Sequence, residues 1–192
     1  MVRDNPVLVS RKIAILGFRA VGKTSLTTKF ISGKFESTYD PTIESTFHKT
    51  IRFRRVHFAT DIIDTAGMDE YSRLSRNASV GVHGYVMMYS ITSLQSFQKI
   101  EQINTTLLNM LGDAPDVPRI LVGSMTDLDG QRAVETSAGQ ALADEWGVPF
   151  MECSSLRDEN IREVFHLLLK EIEKDGDLLG YESESLGGCK IL

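Results

Sequence analysis

Apolar and polar positions along this chain follow two rhythms, and the two take turns. Lys12–Leu16 runs through Ile13, Ala14, Ile15 and Leu16 without a polar break, the pattern of a strand buried on both faces. From Thr24 to Ile31 the apolar residues Leu26, Phe30 and Ile31 fall at helical spacing, and Gly33 supplies a stop. Thr46–Phe53 and Val56–Ile63 flank Arg54-Arg55 and predict a hairpin, with Val56, Phe58, Thr60 and Ile62 on one face of its second strand. That turn lacks the glycine usual in two-residue hairpins, which leaves its geometry open. Tyr85–Ile91, Ile120–Gly123 and Pro149–Cys153 read as three further strands. Between them, Ser93–Leu111 spaces Phe97, Ile100, Ile103, Leu107 and Leu108 as a helix does. A helix over Ala138–Trp146 is expected to start from Thr136 as N-cap, and Ile161–Ile172 is amphipathic through Val164, Phe165, Leu168 and Leu169. The expected fold is α/β: a mostly parallel, six-stranded sheet with helices on both faces and ligands at the carboxyl ends of strands.

Composition narrows the class. At 192 residues, 42% apolar and 24% charged, the chain is sized and balanced for one folded domain, expected over 10–175. Residues 1–9 read as an N-terminal extension. From Gly176 the composition turns to Gly, Ser and Glu, so 176–192 are expected to form a flexible tail. A net charge of −5 without a Lys/Arg block argues against a nucleic-acid polymer as partner. No apolar run reaches membrane-spanning length, and Met1-Val2-Arg3-Asp4 has neither a signal-peptide core nor a glycine for myristoylation. Two cysteines in unlike contexts, Cys153 and Cys189, predict a reducing compartment without a disulfide framework; Cys153, in a core strand, reads as inert packing. His48, His57, His83 and His166 lack metal-ligand spacing. Arg52, Arg54 and Arg55 read as a solvated face, with a partner or lipid contact left open.

The chemistry concentrates where a strand turns into a helix. Gly17-Phe18-Arg19-Ala20-Val21-Gly22-Lys23-Thr24 matches G-x-x-x-x-G-K-[ST] in that context, followed by Ser25. Such a loop aims successive N–H groups inward at a helix N-terminus and so binds phosphate. Lys23 would reach the β- and γ-phosphates, and Thr24 would bind Mg²⁺. At the end of a later strand, Asp64 of Ile62-Ile63-Asp64-Thr65-Ala66-Gly67 can hold a Mg²⁺-bound water, while the Gly67 N–H can meet a γ-phosphate.

With the intervening segment Phe35–Glu44, these motifs resemble the Ras superfamily of small GTPases, which has the P-loop NTPase fold of the small G-protein type. The phrasing is most similar to the Rheb branch: Arg19, Tyr39-Asp40-Pro41-Thr42-Ile43-Glu44, Asp69-Glu70-Tyr71-Ser72 and Ala141-Leu142-Ala143. The resemblance spans roughly residues 10–173. It implies GTP/GDP and Mg²⁺ as ligands. It makes Thr42 the switch I threonine that meets Mg²⁺ and γ-phosphate, places switch II at 68–80, and lets both switches relax when that phosphate leaves. Lys23, Tyr39, Thr42 and Gly67 would then serve catalysis. Arg19, Ala20, Val21, Gly22, Thr24, Ser25, Phe35 and Glu36 would contact nucleotide, and Asp40, Pro41, Thr42, Ile43 and Glu44 an effector. Phe35 reads either as packing edge-on to the base or as core, and Tyr39 as phosphate cover or partner contact.

Three departures qualify the resemblance. Met68 stands where most small GTPases have the glutamine that orients the attacking water, and a thioether cannot do so; slow hydrolysis is expected. Arg19 stands where Ras proteins usually have glycine and would obstruct an inserted arginine finger; Rheb proteins share the arginine, whose activating partner is understood to supply an asparagine. Ser124-Met125-Thr126-Asp127 replaces Asn-Lys-x-Asp. Asp127 can still accept from guanine N1–H and the 2-amino group. Ser124 loses the asparagine amide that ties base to phosphate loop, at a cost of about 1–3 kcal/mol. In Cys153-Ser154-Ser155-Leu156, the Ser155 N–H would meet guanine O6 and Leu156 would replace a lysine stem.

Cys189-Lys190-Ile191-Leu192 fits a prenylation box, and its terminal leucine favours geranylgeranyl, although Lys190 is atypical. Without a basic tail or a second tail cysteine, one prenyl chain predicts reversible residence on the cytoplasmic face of endomembranes. The resemblance further implies a prenyltransferase, a GTPase-activating protein and a growth-signalling (mTOR) kinase complex as partners. A GTP-binding module without turnover and an ATP-using phosphotransferase remain alternatives.

Overall fold

The computed structural model describes residues 7–35, 42–68, 74–112, 117–176 and 178. In chain order its elements are β1 (Val7–Gly17), α1 (Lys23–Ser32), β2 (Glu44–Phe53), β3 (Val56–Thr65), β4 (Gly84–Ser90), α2 (Leu94–Met110), β5 (Arg119–Ser124), a 3₁₀ turn (Thr126–Gln131), α3 (Thr136–Trp146), β6 (Phe150–Cys153) and α4 (Ile161–Ile172). The strands form one sheet in the order β2-β3-β1-β4-β5-β6, parallel throughout except for the β2–β3 hairpin.

Both sheet faces are covered, which explains the unbroken apolar runs of β1, β4 and β5. Along β1 the side chains alternate between two cores. Ile13 and Ile15 join Leu26 and Phe30 of α1 and Val164, Phe165 and Leu168 of α4, whereas Ala14 and Leu16 join Ile100, Ile103 and Leu107 of α2 and Leu142 of α3. This sandwich brings the carboxyl ends of β3, β1 and β5 to one rim, with β4 between β1 and β5.

Two local expectations change, and the open hairpin turn takes a definite form. β1 begins at Val7, inside the stretch read as an extension and ahead of the apolar run at Lys12. Its first residues pair with β3 alone while β4 starts opposite Ile13, so Val7 and Leu8 stay exposed and lack a buried pattern. The strand is held there by Arg11, whose Nε and Nη2 donate to the two Glu173 oxygens at 2.5 and 2.9 Å beyond the end of α4. At the hairpin, Arg54 itself takes the left-handed conformation (φ 54°) in place of a glycine, at about 1 kcal/mol. Thr136 is the first residue of α3 rather than its cap; Glu135 is the cap, and the Thr136 hydroxyl donates to Glu152 Oε1 at 3.2 Å. The tail from 179, and with it Cys189, lies outside the described residues. Among the described residues no helix is long and apolar enough to cross a membrane.

Candidate nucleotide-binding site

The loop between β1 and α1 is built as a cradle. Ala20 (φ 58°) and Gly22 (φ 85°) both turn left-handed, and Gly22 caps α1. Val21 is buried in the core and anchors the loop's floor, while Arg19 and Ala20 are exposed on its rim and Ser25 is half-buried. Arg19 lies over the Phe18 ring, 5.4 Å from its centroid. Lys23, 5% exposed, folds back so that its Nζ donates to the carbonyls of Gly17 (3.1 Å) and Phe18 (2.9 Å). Burial lowers its pKa from 10.5 to about 8, partly opposed by the Asp64 carboxylate. The end of β3 closes on this loop. Met68 N–H donates to Gly17 O at 3.0 Å, and a Cβ at Gly67 would stand 2.5 Å from Arg19 Cα, so only glycine lets the two backbones meet.

Three oxygen-bearing side chains face the same place. The hydroxyls of Thr24 and Thr42 are 2.7 Å apart, bringing together the helix start and the segment just ahead of β2. Asp64 is fully buried, and neither carboxylate oxygen has a hydrogen-bond partner among the described residues. Burial raises its pKa; the nearby Thr24 hydroxyl and Lys23 favour the ionised form but do not offset the desolvation. An orphaned buried carboxylate beside two hydroxyls is a hard-oxygen set that fits Mg²⁺, which keeps waters and phosphate oxygens among its ligands. Thr24 and Thr42 would hold the ion directly and Asp64 through water; the ion's part is to neutralise phosphate charge.

A cavity of about 160 Å³ adjoins the cradle, lined by Gly22, Ser25, Phe35, Ser124, Met125, Asp127, Leu128, Ser155 and Leu156. Phe35, Ser124, Asp127, Ser155 and Leu156, drawn from three separate stretches of sequence, therefore share one wall system. The Asp127 carboxylate is oriented by Ser154, whose Oγ donates to it at 2.5 Å, and Arg157 N–H donates to that same Oγ at 3.0 Å. Ser124, which lacks the asparagine amide, keeps a contact to the loop. Its hydroxyl lies 2.7 Å from Val21 O and 2.9 Å from Tyr89 O, so β5 remains fastened to the phosphate loop. Met125 is left-handed (φ 65°), accepts at Sδ from Ser90 Oγ at 3.3 Å and reaches over Gly22. Leu128 was not singled out in the sequence, and Ser154 stood in the quoted Cys153–Leu156 motif without a role of its own.

The switch side is partly described. Glu36, Tyr39, Asp40, Pro41 and residues 69–73 lie outside the described residues. Ile43 is 92% exposed, an apolar side chain left in water beside Glu44. The Glu44 carboxylate accepts from Ser75 Oγ (2.5 Å) and Asn77 Nδ2 (3.1 Å), joining the two switch segments. Met68 is 5% exposed and packs in the apolar cluster with Leu74 and Ala78. Cys153 is buried, and burial, then Glu152 and Asp127, push its thiol up to about 12, which leaves it unreactive.

The Ras-family sequence profile matches residues 12–174. The chain is 47% identical over 168 residues to the GTP-binding protein rhb1 of Schizosaccharomyces pombe, covering 88% of this chain and 90% of that protein. It is 42% identical over 182 residues to a GTP-binding protein Rheb homolog of Dictyostelium discoideum, with 95% and 97% covered. To the human GTP-binding protein Rheb it is 40% identical over 187 residues, 97% of this chain and all of that protein. A phosphate cradle, an oxygen triad and a base cavity at one sheet rim thus coincide with likeness over nearly the whole sequence: the chain belongs to the Ras family of small GTPases.

Proposed function

We propose that this protein is a Rheb-like, GTP-dependent switch whose own hydrolysis is slow and partner-assisted. The observation that carries the switch is the meeting of Thr42 with Thr24 beside orphaned Asp64: the effector segment is tied to the point where a terminal phosphate and its metal would sit. In hydrolysis a water oxygen bonds to the terminal phosphorus as the bond to the bridging oxygen breaks, giving GDP and phosphate, with the water's proton passing to solvent. Protonated Lys23 stabilises the charge on the phosphate oxygens. Nothing in Met68 helps the water. Its side chain is buried with Leu74, and it has no donor to offer.

Asp127, fixed by Ser154 in the base cavity, supports guanine over adenine and weighs against the ATP-using alternative. The exposed Ile43 next to Glu44 supports an effector surface, for which the Rheb likeness suggests the mTOR kinase complex. Prenylation at Cys189 and residence on endomembranes, with a cytosolic pool, complete the proposal.

Nucleotide extracted from purified protein should be GDP or GTP, with ATP failing to compete. Single-turnover hydrolysis should be slow alone and faster with cell extract; no phosphate release in either case would favour a binding module without turnover. In Met68→Gln the unassisted rate should rise by about tenfold or more if the amide reaches the water, while stability falls by about 1–3 kcal/mol from burying it. An unchanged rate in a folded variant would mean that residue 68 does not limit hydrolysis.

A further inference from the structure

A second cavity, of about 500 Å³, opens between the C-terminal end of α1, the middle of β2 and the first turns of α4. Its walls carry Lys29, Lys49, Arg52, Arg162 and His166, and Asp158 is the one acid among its described lining residues. The cations come from three elements, so no sequence run announces them. They leave about three positive charges uncompensated in one concavity, in a chain whose net charge is −5.

Local contacts account for only part of this charge. Lys29 Nζ donates to Gly33 O at 3.1 Å and lies 3.5 Å from Asp158, itself 64% exposed. Lys49 Nζ caps the carbonyls of Phe30 and Ile31 and sits 4.5 Å from the Phe30 ring centroid. Arg52 Nε donates to the His57 ring at 3.0 Å. The exposed Arg162 side chain makes no hydrogen bond or ion pair among the described residues. The crowding is felt: burial lowers the pKa of both Lys49 and His166, and Arg162 lowers each further, with Glu163 and the Arg52 backbone opposing at His166. An anion relieves such repulsion, and arginine forks suit phosphate oxygens. The two aromatic rings in the lining are already engaged with core rings. Phe30 already stacks on Phe165 at 3.8 Å, and the His166 ring packs on Phe53 at 4.9 Å.

We propose that the cavity between α1, β2 and α4 binds a multiply phosphorylated small anion of the inositol-phosphate class, free or as a lipid headgroup. The volume suits a ligand of that size, and separated cations suit separated phosphates. If the chain is prenylated as proposed above, a headgroup site in the folded domain supplies the second attachment that a single prenyl chain and an acidic tail lack.

The test uses full-length, unlipidated protein loaded with Mg²⁺ and GDP, so that the phosphate loop is already filled. Inositol hexakisphosphate is titrated calorimetrically at about 0.1 M salt. In parallel, the protein is sedimented with phosphatidylcholine vesicles with and without phosphatidylinositol bisphosphate. Expected is saturable one-to-one binding, weakened about tenfold or more by Arg162→Glu and by Arg52→Glu. Lys99→Glu, the same charge change on α2 outside the cavity's lining, should leave it unchanged, and GDP release should be alike in all variants. Vesicle capture that depends on the bisphosphate assigns the site to a lipid headgroup; binding of the free anion alone assigns it to a soluble ligand. Absence of both, or equal weakening by Lys99→Glu, overturns the proposal.

Discussion

Lys23 shows how a single residue couples the fold to its chemistry. Its folded pKa of about 8 lies below the unfolded 10.5, so the unfolded state holds more proton between them. Stability of the nucleotide-free protein therefore rises with pH from about 8 to about 10.5 as this burden is shed. Phosphate binding needs the charged form, so the missing proton must be taken up. At about pH 8.5, GDP binding should absorb well over half a proton, and at about pH 7 only a small fraction. Calorimetry in buffers of different ionisation enthalpy reads this directly; heats that do not vary with buffer at the higher pH would contradict the assigned shift. Lys23 was legible because its motif is contiguous. The bond from Ser124 to the loop was not, because its partner Val21 lies 103 positions away.

Among the elements, the 3₁₀ turn bearing Asp127 depends on a clamp. Arg132 donates to Asp129 (2.7 Å) and with both Nη atoms to the Glu152 oxygens on β6 (2.8 and 3.0 Å), and Glu152, followed by Asp129, holds its pKa above the usual value. Arg132→Ala should lower stability by about 1–3 kcal/mol, discounted for partial exposure, and speed GDP release several-fold by loosening the turn. Arg11→Ala is the informative contrast. It strands Glu173, which is 4% exposed, and should cost about 3 kcal/mol or more while leaving GDP release unchanged. Melting curves and fluorescent-GDP dissociation separate the two; faster release in both would mean that the turn is not held locally. The strands and helices themselves were visible in the apolar periodicity, since each had to bury a face. The start of β1 was not, because pairing with β3 needs no buried side chains at Val7 and Leu8.

For the whole molecule, the buried Asp64, whose carboxylate has no hydrogen-bond partner among the described residues, would burden the nucleotide-free protein with a cost that bound magnesium and nucleotide remove. At a free GDP concentration about 100 times Kd, mass action adds about 2.7 kcal/mol, or about 5–10 °C in melting temperature for a chain of this size. In Asp64→Asn the nucleotide-free protein should melt higher than the wild type, yet chelating magnesium should no longer change its melting in GDP. A variant that melts lower, or keeps the full magnesium response, would remove Asp64 from the metal site.

The sequence by itself determined the class of fold and the phosphate loop, because these rest on local rules, periodic burial and a contiguous loop of amides, whereas the guanine-selecting role expected of Asp127 came with the family resemblance. Only the tertiary structure decided that Ser124 fastens β5 to that loop, that Ser154 aims Asp127, and that Met68 is turned into the core. The same holds for the cations of α1, β2 and α4, which share one cavity although no stretch of chain groups them. Hydrogen-bond partners and charges found through space carry no periodicity along the chain; they appear once the sheet brings distant segments to the same rim.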